Sequence, residues 1–141
     1  MKATLRPGLA HTHRFTVTEA KTVPNLYPEA ACFREMPRVF ATGYMVGLLE
    51  WACIELLRPH LDPGEGSLGI HVDVSHTAAT PAGMTVTVEA KLEAVEGKRL
   101  DFSVVLRDEF DEIGRGKHLR AVVQWDKFNA RAVEKAARAK K

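Results

Sequence analysis

The sequence predicts a single α+β domain in which an antiparallel sheet packs against one long apolar helix. Residues 42–57 are apolar on nearly every side of the helical wheel, which is typical of a helix buried on most sides. The segments after it change to a period of two, with one apolar and one polar face, which is typical of an antiparallel sheet with one solvated side. With 141 residues, the chain is long enough to form one domain with a real core.

Charge and cysteine content argue against several classes of protein. The net charge is +2, but residues 127–141 carry six Lys/Arg against one Glu, so the rest of the chain is mildly acidic. A basic tail can bind phosphates, but we predict a solvated, frayed terminus, with no nucleic-acid or membrane partner. Cys32 and Cys53 do not make a disulfide framework, and no apolar run has transmembrane length. We therefore predict a cytoplasmic protein with reduced thiols.

The segment before the helix is predicted to contain one strand and a lid. Residues 13–18 alternate with Phe15 and Val17 on one face, whereas residues 1–12 look unstructured. Residues 19–39 are interrupted by prolines but are too apolar for a solvated linker, so we predict that they fold over the domain as a lid. The apolar lid residues are Val23, Leu26, Tyr27, Phe33, Met36 and Val39.

The helix is predicted to begin at about Thr42, as its N-cap, and to end at about Leu57, before Pro59. Met45 stands where a capping box would need Glu or Gln, which leaves the Thr42 hydroxyl less committed to capping. The free N–H groups and the positive dipole end beside Thr42 could hold a substrate oxygen that gains negative charge.

Four strands are predicted after the helix, separated by turns at residues 62–66, 96–98 and 108–112. By parity, His71 and His118 face outward. With the first strand, the order β-α-β-β-β-β is that of the hotdog fold, which usually forms dimers because a monomer leaves a sheet edge and one helix side open. The predicted inward sets are Ile70, Val72, Val74 and His76; Val86, Val88, Ala90, Leu92 and Ala94; Leu100, Phe102, Val104 and Leu106; and Lys117, Leu119, Ala121, Val123 and Trp125.

One carboxylate, Glu50, lies inside the apolar helix, and burial of an ionised carboxylate is costly unless it has a partner. His76 continues the inward face of its strand, so we predict that it meets Glu50. A core histidine bound to a backbone carbonyl is the alternative, but a buried Glu–His pair is a recognised mark of functional sites. Thr42 lies about 12 Å from Glu50 along the helix, so a substrate or a second subunit would have to bring the two to one reaction centre.

The sequence offers no metal site and no reactive cysteine. No Cys/His group has the spacing of zinc ligands. Cys53 is a poor nucleophile because it lies in an apolar helix without an assigned base. We therefore expect neither a metal nor a cofactor.

Seven blocks of the sequence carry a family likeness: residues 21–23, 26–28, 40–53, 63–69, 75–81, 111–114 and 127–130. Over nearly the whole chain, these blocks resemble the fluoroacetyl-CoA thioesterase family. The resemblance implies a hotdog homodimer that hydrolyses acyl-CoA thioesters, with CoA as part of the substrate. It implies catalytic roles for Thr42, Glu50 and His76: Glu50 as nucleophile or as base toward water, Thr42 to orient and polarise, and His76 to move protons.

The resemblance also implies binding roles for Gly69, beside the reacting carbonyl, and for Arg120. Parity places Arg120 on the outward face of its strand, so a bulge or an interface role would be needed. In the lid, this chain has Phe33 but carries Met36 where the family has a second phenylalanine, so a flexible thioether replaces a rigid ring.

We therefore predict a thioesterase for short acyl-CoA substrates, possibly fluoroacetyl-CoA, whose lid residues Val23, Leu26, Phe33 and Met36 contact the substrate. A hotdog thioesterase of broader acyl specificity and a non-catalytic acyl-CoA binding domain are the alternatives. The hydratase branch of the fold is disfavoured because the sequence has no Asp-x-Asn-Pro-x-His pattern.

Overall fold

The computed structural model describes residues 1–140 and contains one five-stranded antiparallel sheet that packs against a central helix. The strand order is β1-β3-β4-β5-β2, so β1 and β2 form the two edges. This confirms the predicted α+β class. In chain order the elements are β1 (Ala10–Thr16), α1 (Ala31–Arg34), α2 (Thr42–Leu57), β2 (Glu65–Val74), β3 (Thr85–Glu96), β4 (Arg99–Arg107), β5 (Glu112–Gln124) and α3 (Trp125–Ala139), with single 3-10 turns at Glu19–Lys21, Val23–Asn25 and Arg58–His60.

The core lies between α2 and the central strands, as the alternation predicts. The helix ends at Leu57, where the 3-10 turn Arg58–His60 begins, because Pro59 cannot donate the next helical hydrogen bond. The faces of β3 and β4 are as predicted up to Leu92, after which a register shift before Ala94 changes the phase. The buried side chains are Met45, Leu48, Leu49, Ala52, Cys53, Leu56 and Leu57 of α2, Val86, Val88, Ala90 and Leu92 of β3, and Leu100, Phe102, Val104 and Leu106 of β4.

Helix α2 is not buried on every side. Gly43, Gly47, Trp51 and Ile54 follow one another along its surface and are exposed, and we call these four residues the open stripe. The edge strand β2 is exposed beside them, and its apolar Ile70 has 54% of its surface accessible. A single copy of the chain therefore leaves part of the apolar surface of α2 uncovered.

The phase of β5 is opposite to the prediction. His118, Arg120 and Val122 are buried, whereas Lys117 is exposed and Leu119 is only partly covered. The pairing of β5 with β4 shifts register near Glu112, so Ile113 is the extra residue of a bulge. A strand with polar residues in its core-facing positions cannot be phased by hydrophobicity alone. Here, the polar side chains are buried because they bond to one another and to α2.

The chain termini are more ordered than predicted. Leu5 is buried and the Lys2 N–H bonds to the His60 carbonyl at 2.9 Å, so the segment before β1 is packed onto the domain rather than unstructured. Most of the predicted frayed tail is helix α3, which begins at Trp125 and carries no buried residue. Lys141 lies outside the described residues. No helix in residues 1–140 is long and apolar enough to cross a bilayer.

Candidate active site

The N-terminus of α2 brings Thr42 and His76 together. Ala41 occupies the N-cap position and Thr42 is the first helical residue, so the prediction of Thr42 as N-cap was wrong. The Thr42 hydroxyl makes no capping bond, and its Oγ1 lies 2.7 Å from Nδ1 of His76. The first bond within the helix is donated by Met45 to Ala41. The N–H groups before Met45 therefore point out of the helix end beside this pair.

His76 combines a fixed position with a free nitrogen. The segment after β2 is held to β5 by hydrogen bonds from Ser75 N to Arg115 O at 2.9 Å and from Thr77 N to Ile113 O at 2.7 Å. Nε2 of His76 is buried and has no hydrogen-bond partner among the described residues. Burial lowers the pKa of His76, and the backbone of Ala78 opposes this effect to a smaller extent. The imidazole is therefore neutral at pH 7 and can accept a proton.

A cavity of about 260 Å³ lies over the Thr42–His76 pair. Val23 and Val39 of the lid line it together with Phe40. Leu26 packs over the helix end, since a Cβ on Gly43 would lie 3.2 Å from its Cδ1. Two of the four lid residues predicted to contact substrate thus lie at this end of α2.

The other two lid residues, Phe33 and Met36, do not line this cavity in the single chain. Phe33 packs against Tyr27 with ring centroids 5.6 Å apart, and Met36 is 49% exposed. Their contact with substrate stays a prediction.

The partner of Glu50 is Arg120, not His76. Nη1 of Arg120 donates to Oε2 of Glu50 at 2.9 Å. The guanidinium is only 3% exposed, whereas 35% of the Glu50 side chain is accessible. The carboxylate therefore has one oxygen on a buried cation and an open side. The predicted Glu50–His76 pair was wrong within one chain because the phase of β5 brings Arg120 inward.

His118 belongs to the same polar group and was missed from the sequence. Its side chain is fully buried, with Nδ1 at 2.8 Å from the His71 carbonyl and Nε2 at 3.1 Å from Nη1 of Arg120. Burial is the largest cause of its lowered pKa, and the nearby Arg120 charge adds to it. The prediction that His118 is solvated was wrong. The only signal in the sequence was that His118 and Arg120 share a face with each other.

Gly69 leaves the space that the Glu50 carboxylate fills. A Cβ at position 69 would lie 2.6 Å from Oε2 of Glu50 and 3.1 Å from Cε1 of His118. A bulge between Gly69 and His71 puts Gly69 opposite Arg120 and still leaves Val72 opposite His118. Gly69 therefore faces the Glu50 carboxylate, and its role beside the reacting carbonyl stays a prediction.

The cysteine prediction agrees with the structure. Cys53 is buried in α2 and burial raises the pKa of its thiol to about 12. A thiol with so high a pKa supplies no thiolate at neutral pH.

The profile of the family described as fluoroacetyl-CoA-specific thioesterase matches residues 17–126. The chain belongs to this family. It is 56% identical over 135 residues to the fluoroacetyl-CoA thioesterase of Streptantibioticus cattleyicolor, covering 96% of this chain and 97% of that protein. The predicted family is thereby confirmed.

Solved structures agree with this assignment. A threonine-to-alanine mutant of the fluoroacetyl-CoA thioesterase, in complex with fluoroacetate, is 55% identical with a TM-score of 0.91, over 93% of this chain and 98% of that one. A thioesterase superfamily member from Thermus thermophilus is 28% identical with a TM-score of 0.84, over 97% and 98%. These matches confirm the predicted hotdog fold and the predicted class of thioester hydrolase.

Proposed function

We propose that the protein hydrolyses short-chain acyl-CoA thioesters to the free acid and CoA, with fluoroacetyl-CoA as the first substrate to test. The observation that carries the proposal is the Thr42–His76 pair at 2.7 Å, with the second imidazole nitrogen buried and unpartnered beneath a cavity. A binding domain does not need a free base in that position. The name of the 56% identical relative supports the choice of substrate.

The thioester carbonyl would lie at the N-terminus of α2. There, the free N–H groups and the Thr42 hydroxyl stabilise the oxygen as it gains charge. Glu50 acts as nucleophile toward the acyl carbon or as base toward the attacking water, and its open side leaves room for either role. His76 moves protons, including the one that the departing CoA thiolate needs. Gly69 and Arg120 line the acyl end, Arg120 by holding the carboxylate.

We further propose that the site is completed across a homodimer. Thr42 and Glu50 are too far apart on one helix to reach the same carbonyl, since eight residues rise about 12 Å. Two antiparallel copies of α2 crossing midway between them would bring Thr42 of one copy to Glu50 of the other. The open stripe supports this arrangement, because Gly43 and Gly47 have no side chain and Trp51 and Ile54 are apolar and exposed. The exposed edge of β2 would be covered in the same assembly.

Release of free thiol from a panel of acyl-CoAs tests the activity. We expect turnover of fluoroacetyl-CoA and a decline as the acyl chain lengthens. If no acyl-CoA of the panel released thiol, the non-catalytic acyl-CoA binding domain would be favoured. Similar rates on acetyl- and fluoroacetyl-CoA would favour the thioesterase of broader specificity, which the exposed and flexible Met36 side chain also allows.

A mixing experiment tests the shared site. Glu50→Gln and His76→Ala variants are each expected to be inactive as pure proteins. After unfolding and refolding together, half of the dimers are mixed and each mixed dimer holds one intact site, so about a quarter of the wild-type activity should return. A mixture that stays inactive, while dimer exchange is demonstrated with a size-tagged copy, would place Thr42, His76 and Glu50 of the same chain in one site.

A cytoplasmic location is also proposed. It is supported by two free cysteines that form no disulfide, Cys32 being exposed and Cys53 buried.

A further inference from the structure

The hydrogen bonds of Arg120 fix the protonation of His118. The guanidinium has N–H donors and no acceptor. Its Nε donates to Oγ of Ser67 at 2.8 Å and Nη2 donates to the Ser67 carbonyl at 2.9 Å. Nη1 has two N–H groups, which go to Oε2 of Glu50 and to Nε2 of His118. Nε2 of His118 must therefore be the acceptor in this contact, and it carries no proton.

The other ring nitrogen gives the same result independently. Nδ1 of His118 lies 2.8 Å from the His71 carbonyl, which can only accept. Nδ1 must therefore carry the proton. Both ends of the ring agree on a single neutral tautomer, with the proton on Nδ1 and a lone pair on Nε2.

This tautomer also determines whether His118 can form an ion pair with the Glu50 carboxylate. Nε2 lies 4.0 Å from Oε2 of Glu50, a separation at which a protonated ring would count as an ion pair. A neutral ring with its lone pair on that side attracts no carboxylate. Arg120 stands between the two groups, since the same Nη1 contacts both. Phe102 of β4 stacks against the ring, with centroids 6.5 Å apart, and brings no ionisable group to it.

We propose that His118 is a positioning residue for the reaction, which holds Nη1 of Arg120 so that Arg120 in turn holds the Glu50 carboxylate. The inference rests on the proposed function of Glu50. Without an acceptor at Nε2, one N–H of Nη1 loses its protein partner although the guanidinium is only 3% exposed. The guanidinium then shifts toward another acceptor and draws Oε2 away from its place beside Gly69. The effect reaches Glu50 although His118 touches no reacting atom.

Two substitutions separate the two ring nitrogens. In His118→Asn, the amide lies near the position of Nδ1, so it can donate to the His71 carbonyl but cannot reach Arg120. In His118→Gln, the amide oxygen reaches the position of Nε2 and accepts from Arg120, while the bond to His71 is lost. Each variant keeps one hydrogen bond and loses the other, so they are matched controls for stability.

The kinetic result expected differs between the two. His118→Asn should lower kcat about tenfold or more with KM changed less than twofold, because a shifted carboxylate affects the reacting step rather than binding. His118→Gln should stay within about threefold of the wild type. Equal losses in both variants, in step with their thermal melting temperatures, would overturn the proposal and leave His118 as a packing residue.

A measurement without substrate completes the test. Nitrogen-15 NMR of the labelled wild-type protein at pH 7 should show His118 with a protonated Nδ1 and an unprotonated Nε2. An imidazolium, or a proton on Nε2, would overturn the proposal whatever the kinetics. If the wild type released no thiol from any acyl-CoA, the proposed function would fail, and the tautomer would still decide whether His118 accepts from Arg120.

Discussion

The two ends of the site on α2 differ in how completely their polar groups are paired. At the N-terminal end, His76 has one nitrogen on Thr42 and the other free beneath a cavity. Two turns further along α2, Glu50 is held by Arg120 of β5. The N–H groups of Arg120 donate to Ser67, Glu50 and His118, so these side chains form one connected group. An unpaired buried base is what a proton-moving step requires. A carboxylate that must keep its charge and direction requires the opposite, a fully paired support.

The largest effect is expected from Glu50→Gln. The neutral amide cannot act as base or nucleophile, so kcat should fall on the order of a thousandfold. The amide oxygen can still accept from Arg120, and we expect a loss of about 1–3 kcal/mol in the free energy of unfolding, with the protein still folded. Thiol release and denaturant unfolding measure the two quantities. Full activity in a folded variant would remove Glu50 from the chemistry.

Gly69→Ala should have the next largest effect. Its Cβ would lie 2.6 Å from Oε2 of Glu50, so the carboxylate must move. A displacement of about 1 Å should cost roughly ten- to a hundredfold in kcat. Denaturant unfolding of the same variant is the control, because a protein that is folded like the wild type but slow has lost turnover through the displaced carboxylate. If Gly69→Ala kept its kcat, the tight contact at the paired end would not matter for turnover.

The pH dependence tests the unpaired end. Burial places the pKa of His76 below the ordinary histidine value of 6.5. Because the neutral form is the active one, kcat/KM should be flat at pH 7 and above and fall about tenfold per unit below the pKa of the folded protein. An acid limb centred above 6.5 would contradict a buried, neutral His76.

Stability should follow pH in the same direction. His13, His76 and His118 all have pKa values lowered by burial. The unfolded chain then binds more protons than the folded one as the pH drops below 6.5, so the free energy of unfolding decreases there. Melting curves at each pH separate this loss from the kinetic limb. An enzyme that is fully folded yet inactive at a mildly acidic pH would show that the limb belongs to catalysis.

The smallest effect is expected from Met36→Phe. A rigid ring in place of the flexible thioether should raise the ratio of fluoroacetyl to acetyl turnover by about threefold, by limiting the shapes that the lid can adopt. Met36→Leu, which is similar in volume and less flexible, is the matched control. An unchanged ratio in the Phe variant would place selectivity at the two ends of α2 rather than in the lid.

The fold was largely predictable because most of its elements follow simple periodicity. The bounds of α2 and the faces of β3 and β4 follow from apolar spacing and from Pro59. The packed N-terminal segment could not be found in the same way, because Leu5 and the backbone of Lys2 are held by contacts distant in sequence.

The candidate site was predictable in its members but not in its pairing. Glu50 stood out as a charge in an apolar helix, and His76 as the continuation of a predicted inward strand face, although β2 ends before it at Val74. Arg120 was missed as the partner of Glu50 because polar residues of β5 face the core. Apolar alternation, which marks the core face of the other strands, therefore selects the wrong face of β5. A bulge at Ile113 and another after Gly69 also change phase without any marked signal in the sequence.

The two cysteines have a practical consequence for experiments on this protein. Cys53 is inert at neutral pH, while Cys32 is exposed on α1, within the segment predicted to form the lid. The chain therefore offers one addressable thiol, at the place where movement is of interest. A fluorophore attached to Cys32 could follow that segment directly as acyl-CoA binds, without any cysteine being added or removed. The same thiol will react with disulfide reagents, so thiol-release assays need a Cys32→Ser background.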